Sequence, residues 1–458
     1  MKNQKRALSV FALVMINVIA VDNLRTLPIS AKIGLPLVSY YLIAALTYFV
    51  PVALVAAELA STFPKAGGIY VWVREAFGKR SAFITIWLQW IYNVVWYPTI
   101  LIFIAETFTY LFNPELATNK TYLVSMVVGL FWVFTLLNCF GMKISGMISI
   151  IGATVGTILP MLGVIALGIL WYLNGHPLAI DFKGSLLPDF SSFGNLAIFS
   201  AILFGLLGVE MSAIHAEDVK NPQRDYPRAL FYSVVIIITT LVFGSLAIVA
   251  VVPAQKLNLV SGFIDAYAIF FKKYNMPWML DITVWLVIIG GLSGVSAWII
   301  GPSRGLLISA HDKCLPHHFT RVNKHGAPVF ILVLQAIIVT ILSSLLLLVN
   351  SVSSAYWMLT ELCAQLALLV YVFLFAAGIK LRYSHPDTPR AYKIPGGKFG
   401  IWFVAGMGFL CCLVTIIIGF VPPSQINMEN VIFFEGFLIS GLILFVVVPW
   451  LLAKRFVK

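Results

Sequence analysis

The apolar positions of this chain fall in long continuous runs, without the alternation of strands or the narrow stripes of soluble helices. Twelve such runs stand at roughly 8–33, 36–60, 81–112, 121–141, 145–173, 194–216, 227–252, 281–308, 328–349, 353–379, 399–421 and 431–453. Each is long enough to cross a ~30 Å hydrocarbon layer as a helix. A β-barrel would show short alternating segments instead. The pattern predicts an all-α integral membrane protein with about 12 transmembrane helices. An even number of spans puts both termini on one side.

Two of the runs are interrupted near mid-membrane. Span 1 contains Asp22-Asn23-Leu24-Arg25-Thr26-Leu27-Pro28, and span 6 contains Gly205-Leu206-Leu207-Gly208-Val209-Glu210. Charges, glycines and a proline at that depth are costly in a continuous lipid-facing helix. The two breaks fall in corresponding places if spans 1–5 (about 8–173) and spans 6–10 (about 194–379) are repeats. Five spans per repeat is odd, so the repeats have opposite topology. Paired broken helices of this kind mark a substrate site at the repeat interface. Spans 11 and 12 (about 399–453) are then peripheral, and 1–458 is one transporter domain.

Composition agrees with this reading. Of 458 residues, 60% are hydrophobic and 10% are charged, against roughly 25% charged in soluble domains. The net charge of +12 lies in short loops, where basic residues set topology and do not form a nucleic-acid surface. With the N-terminus inside, about 23 of the 30 Lys and Arg are cytoplasmic and about six are outside, with Arg25 within a span. Both termini are therefore expected in the cytoplasm of a cell-membrane protein. The basic start at Lys2, Lys5 and Arg6 precedes an apolar run too long for a signal peptide, so that run is expected to stay as span 1. The five cysteines have no framework spacing and read as small buried hydrophobes, neither disulfides nor metal ligands.

No HExxH, paired CxxC, phosphate-binding GxxxxGK[ST] or GxSxG is present. That argues against an enzyme or an ATP-driven pump, and no cofactor or metal is expected. Glu210, just beyond the glycine break, is a candidate to touch substrate or to titrate, since intramembrane carboxylates are usually functional. The structural alternative is that it pairs with a neighbour and holds the bundle. His215, nearer the cytoplasmic end, reads as an interfacial hydrogen-bonded histidine. Asp22 and Arg25 either pair with each other to satisfy the break or serve substrate: Asp22 an ammonium, Arg25 a carboxylate.

Several segments together resemble a known family. They are Gly208-Val209-Glu210 through Asn221-Pro222-Gln223-Arg224-Asp225-Tyr226-Pro227, Ser296-Ala297-Trp298-Ile299-Ile300-Gly301-Pro302-Ser303-Arg304-Gly305, and Tyr392-Lys393-Ile394-Pro395-Gly396-Gly397-Lys398. These resemble the bacterial glutamate/GABA antiporters of the amino acid–polyamine–organocation superfamily. Pro51 to Ala60, followed by Pro64-Lys65-Ala66-Gly67-Gly68-Ile69-Tyr70-Val71-Trp72-Val73, resembles a segment shared across the superfamily. The resemblance covers essentially the whole chain. It implies the five-plus-five inverted-repeat fold, with a small amino acid or amine held between spans 1 and 6 and helped by spans 3 and 8.

The resemblance also points to individual residues. The family's Gly-Ser-Gly of span 1 matches Val21, Asp22 and Asn23, a departure that puts an acid where relatives receive a carboxylate on free N–H groups. Phe204 matches a substrate-covering aromatic position, Leu207 lies in the same break, and Trp298 matches a tryptophan beside the site. In span 3, the cluster Trp90, Tyr92, Asn93, Trp96 and Tyr97 offers Asn93 and Tyr97 as lining, with interhelical packing as the plain alternative. Span 5 has no lysine of the kind some proton-coupled relatives carry, which favours exchange over symport. Some relatives have a C-terminal tail that plugs the cytoplasmic mouth; Lys454 to Lys458 is too short for that, so acid gating by a tail is not carried over. The expected function is amino acid exchange by alternating access. Proton-coupled import of amino acids or polyamines and a transport-dead membrane sensor are the alternatives.

Overall fold

The computed structural model describes residues 8–63, 68–140, 152, 154–180, 184–212, 219, 221–426, 428 and 430–457; of Pro222, Gln223, Ala297 and Ile300 only the backbone is described. His215, the basic start at Lys2, Lys5 and Arg6, and Pro64 to Gly67 of the shared segment lie outside these residues. Among the described residues the fold is all-helical, with one isolated bridge between Leu8 and Val219. This is the arrangement a bilayer demands, because a helix satisfies its own backbone polar groups where water cannot.

Among the described residues, ten helices are long and apolar enough to cross a membrane: Leu37–Thr62, Lys79–Thr109, Lys120–Cys139, Thr154–Leu173, Arg224–Val251, Met279–His311, Val329–Leu348, Val352–Ser384, Gly397–Ile418 and Val431–Phe456. They correspond to spans 2 to 5 and 7 to 12. Span 1 is a broken pair, Val10–Val21 and Leu24–Ala31, bent by 40°. Span 6 begins as the shorter helix Phe193–Gly205 and then turns through residues 206–210.

Two further helices occupy segments expected to be loops. Ile69–Phe77 joins spans 2 and 3, and Gly262–Lys273 joins spans 7 and 8. Both are amphipathic and too short to cross. The second buries Phe263, Ile264, Tyr267, Phe270 and Phe271.

Span 3 runs through the centre of the bundle and is buried along nearly its whole length, whereas only a minority of the residues of spans 11 and 12 are buried. Spans 5 and 8 cross with their backbones almost touching. A methyl group on Gly156 would lie 2.3 Å from the backbone of Leu286 and Gly290. Small residues are how membrane helices approach this closely.

The end of the bundle that carries the termini is clamped by a buried ion cluster. Glu58 of span 2 accepts from Arg382 Nε at 2.8 Å and also from Arg382 Nη2; Arg390 Nε lies 3.1 Å from its Oε1. The Ile394 N–H donates to the same carboxylate at 2.9 Å. Two motifs far apart in sequence, the one around Glu58 and the one around Ile394-Pro395-Gly396, are thus parts of one joint. At the same end, Arg80 Nε donates to the Val457 carbonyl at 3.0 Å, and Tyr70 donates to Asp312 at 2.6 Å.

Candidate functional site

The break in span 1 leaves Asp22 and Asn23 extended between two helical halves. Local side chains satisfy the freed backbone groups: the Arg25 N–H donates to Asn23 Oδ1 at 3.2 Å and the Thr26 hydroxyl to the Asn23 carbonyl at 2.8 Å. Asn17, half a helix earlier, is tied to both neighbouring elements. Its amide donates to Ser233 Oγ in span 7 at 3.2 Å and its carbonyl accepts from the Ser212 N–H at 3.2 Å.

In span 6 the chain turns at Gly208, whose φ of +105° lies in the region that disfavours side chains. Its N–H donates to the Tyr371 hydroxyl of span 10 at 2.9 Å.

Between the breaks lies a cavity with about 850 Å³ of empty volume, its open mouth included. Span 1 lines it from Ile19 to Thr26, including Asp22, Asn23 and Arg25. Span 6 contributes Phe204, Gly205 and Leu207. Span 3 contributes Tyr92, Asn93, Trp96, Ile100 and Phe103, and span 8 contributes Trp298 beside a glycine-rich strip. Gly156 and Thr157 of span 5 close another side. Seven of the nine residues singled out in the sequence therefore converge here: Asp22, Asn23, Arg25, Asn93, Phe204, Leu207 and Trp298.

The two acid–base residues of the break do not pair with each other. Asp22, 4% exposed, has the Thr240 hydroxyl of span 7 at 3.0 Å from both carboxylate oxygens. Arg25, 1% exposed, reaches the other way and donates from Nη1 to the Tyr356 hydroxyl at 3.3 Å. Its guanidinium lies 5.0 Å from the centroid of Phe204 and 5.9 Å from that of Trp96, within cation–π range. The ion pairs among the described residues are Arg74–Asp312, Arg382–Glu58 and Arg390–Glu58. Arg25 is thus a buried cation with neutral partners, and its Nε has no hydrogen-bond partner.

Two expected lining residues are placed elsewhere. The Tyr371 hydroxyl lies 2.8 and 2.9 Å from the two carboxylate oxygens of Glu210, so that tyrosine joins the Gly208 turn to the acid, and Glu210 is not among the cavity walls. Tyr97 packs on Phe131 of span 4, with ring centroids 4.8 Å apart. Its neighbour Trp96 takes the lining position and leans on Trp298 at 6.2 Å. Asn93 does line the cavity, its amide donating to the Gln89 carbonyl at 2.7 Å. Sequence reasoning missed Thr240, Tyr356 and Tyr371, because their roles come from contacts across 160 or more residues of chain.

The arrangement presents an aromatic-walled cavity with a carboxylate on one side and, on the other, a guanidinium that joins no ion pair among the described residues. Such a cavity suits a small ligand carrying opposite charges. Comparison with known proteins agrees with that picture. The sequence profile described as amino acid permease matches residues 7–447. An "uncharacterized transporter" of Legionella pneumophila is 63% identical over 455 residues, covering 99% of this chain and 98% of its own. A glutamate/gamma-aminobutyrate antiporter of Lactococcus lactis is 29% identical over 456 residues, covering 98% and 90%. A probable agmatine/putrescine antiporter of the same species is 23% identical over 461 residues, covering 99% and 96%. The helical membrane fold, the cavity between two broken spans and the match along nearly the whole sequence lead to one conclusion: the chain belongs to the amino acid permease family and is a multi-pass membrane transporter.

Proposed function

We propose that this transporter exchanges small amino acids bearing a free carboxylate, with acidic or ω-amino acids as the preferred class. The observation that carries this reading is Arg25: a guanidinium inside the cavity, set against Phe204 and Trp96 and without an acidic partner among the described residues. A buried cation is stabilised when an anion arrives, and a fork-shaped guanidinium matches a carboxylate. Asp22, held by Thr240 on the other side of the break, supplies the complementary charge for an ammonium. The name of the 29% identical Lactococcus lactis relative, a glutamate/gamma-aminobutyrate antiporter, favours the same substrate class.

In this reading spans 1–5 and 6–10 are inverted repeats, both termini are cytoplasmic, and the bundle around spans 1 and 6 rocks against spans 3, 4, 8 and 9. Substrate enters between Phe204 and Trp298, neutralises Arg25 and Asp22, and is released on the other face. Returning with the two charges uncompensated is costly, so a second substrate molecule makes the return passage. That asymmetry favours exchange over net uptake.

One observation favours proton-coupled import instead. Asp22, Glu210 and Glu361 are buried carboxylates whose side-chain donors are the hydroxyls of Thr240, Tyr371 and Ser200. A counterflow screen in liposomes separates the two. Exchange predicts radiolabelled glutamate uptake only with amino acid inside the vesicle and no alkalinisation of the medium. Uptake into empty vesicles driven by an imposed pH gradient would favour the proton-coupled reading.

A further inference from the structure

Outside the site, an apolar groove lies on the surface formed by spans 2, 6, 10 and 11. It has about 2130 Å³ of empty volume, its open side included, and is walled almost wholly by hydrocarbon. It runs from Phe190 and Phe199 at one end, past Ile43, Leu410 and Val414, to Phe403, Trp402 and Lys380 at the end that carries the termini. Along span 11 the distance from Trp402 to Ile418 is about 24 Å at 1.5 Å per residue. A single leaflet is roughly 15 Å deep, so an acyl chain fits within the groove with length to spare.

The groove is not uniform. Lys380 is exposed at its mouth on the terminal side, with its ammonium 4.6 Å from the ring centroid of Phe77. The ion pairs among the described residues do not include it. Lys398 stands on the Tyr383 ring at 5.1 Å, and Tyr383 accepts from the Trp402 indole at 2.9 Å. Two lysines that join no ion pair among the described residues, and a hydrogen-bonded Trp–Tyr pair, are what a lipid headgroup meets at a bilayer surface.

We infer that this groove is a binding site for an anionic phospholipid of the leaflet on the terminal side. Its phosphate is held by Lys380, with Lys398 adding positive field, and an acyl chain lies along Phe403 and Leu410. The site is separate from the substrate cavity and depends only on the chain being membrane-embedded.

Native mass spectrometry of the full chain tests it, using detergent micelles that carry equal phosphatidylglycerol and phosphatidylcholine with identical acyl chains. The wild type is expected to retain phosphatidylglycerol several-fold over phosphatidylcholine. Lys380→Gln should even the ratio, and Lys380→Arg should keep it. Leu410→Trp, which fills the groove, should lower retention of both lipids. Equal retention by the wild type, or an unchanged preference in Lys380→Gln, overturns the inference. So does a lipid-free dimer that Leu410→Trp dissociates, since that assigns the groove to a second copy of the chain.

Discussion

The hydroxyl of Thr240 lies 3.0 Å from both carboxylate oxygens of Asp22, joining span 7 to the break in span 1. This contact takes the place of the ion pair that the spacing of Asp22 and Arg25 invites, and it leaves the arginine to the cavity. If the two charges were partners, neutralising both would repair the damage of neutralising one. Here it should not. Asp22→Asn and Arg25→Gln are each expected to impair exchange, and the double variant to be no better than the worse single one in liposome flux. Recovery in the double variant would re-establish the pair.

Thr240→Val keeps the shape of the side chain and removes its hydroxyl, leaving the Asp22 carboxylate without its donor. A carboxylate stripped of a hydrogen-bond partner loses its fixed orientation, at a cost of roughly 1–3 kcal/mol. The expected result is normal expression and an apparent affinity at least several-fold weaker, with Thr240→Ser near wild type. Unchanged kinetics in Thr240→Val would show that the contact does not shape the site.

Gly208 turns span 6 with a φ of +105°, beside the Ala20 backbone. Gly208→Ala has to adopt a conformation that side chains avoid, at a cost of about 1–3 kcal/mol. Thermal unfolding in detergent should shift down and transport should fall. A wild-type melting curve would mean that the turn is not strained.

Glu58 receives Arg382, Arg390 and the Ile394 N–H in a buried cluster. Glu58→Gln strands two guanidinium groups, and breaking a buried pair in this way costs about 3–5 kcal/mol. Arg390→Gln should be milder, because Arg382 keeps its contacts. Monodispersity on size exclusion ranks the two, and the reverse order would contradict the cluster as described.

The long apolar runs were legible because a span depends on local sequence alone. The break in span 1 was equally plain, since Asp22, Arg25 and Pro28 cannot continue a lipid-facing helix cheaply. The helices Ile69–Phe77 and Gly262–Lys273 leave no such mark in the sequence because each is too short to form a membrane-length apolar run. The apolar spacing of Phe263, Tyr267 and Phe270 was the available signal. Span 3 shows a different limit. A helix buried on all sides does not declare which stripe faces the cavity; Trp96, in phase with Asn93, Ile100 and Phe103, does the lining, and Tyr97 faces span 4. The partners Thr240 for Asp22 and Tyr371 for Glu210 come from distant spans, and no local pattern encodes them.

If the Arg25 guanidinium receives a substrate carboxylate in the cavity between the two breaks, its removal should cost acidic substrates most. Counterflow in liposomes, comparing wild type with Arg25→Gln on glutamate, γ-aminobutyrate and a neutral α-amino acid at fixed pH, tests it most directly. Arg25→Gln is expected to lower glutamate exchange by at least tenfold, the value of about 1.4 kcal/mol, and to lower the neutral substrate less. Glutamate exchange at the wild-type rate in a correctly inserted Arg25→Gln protein would contradict it.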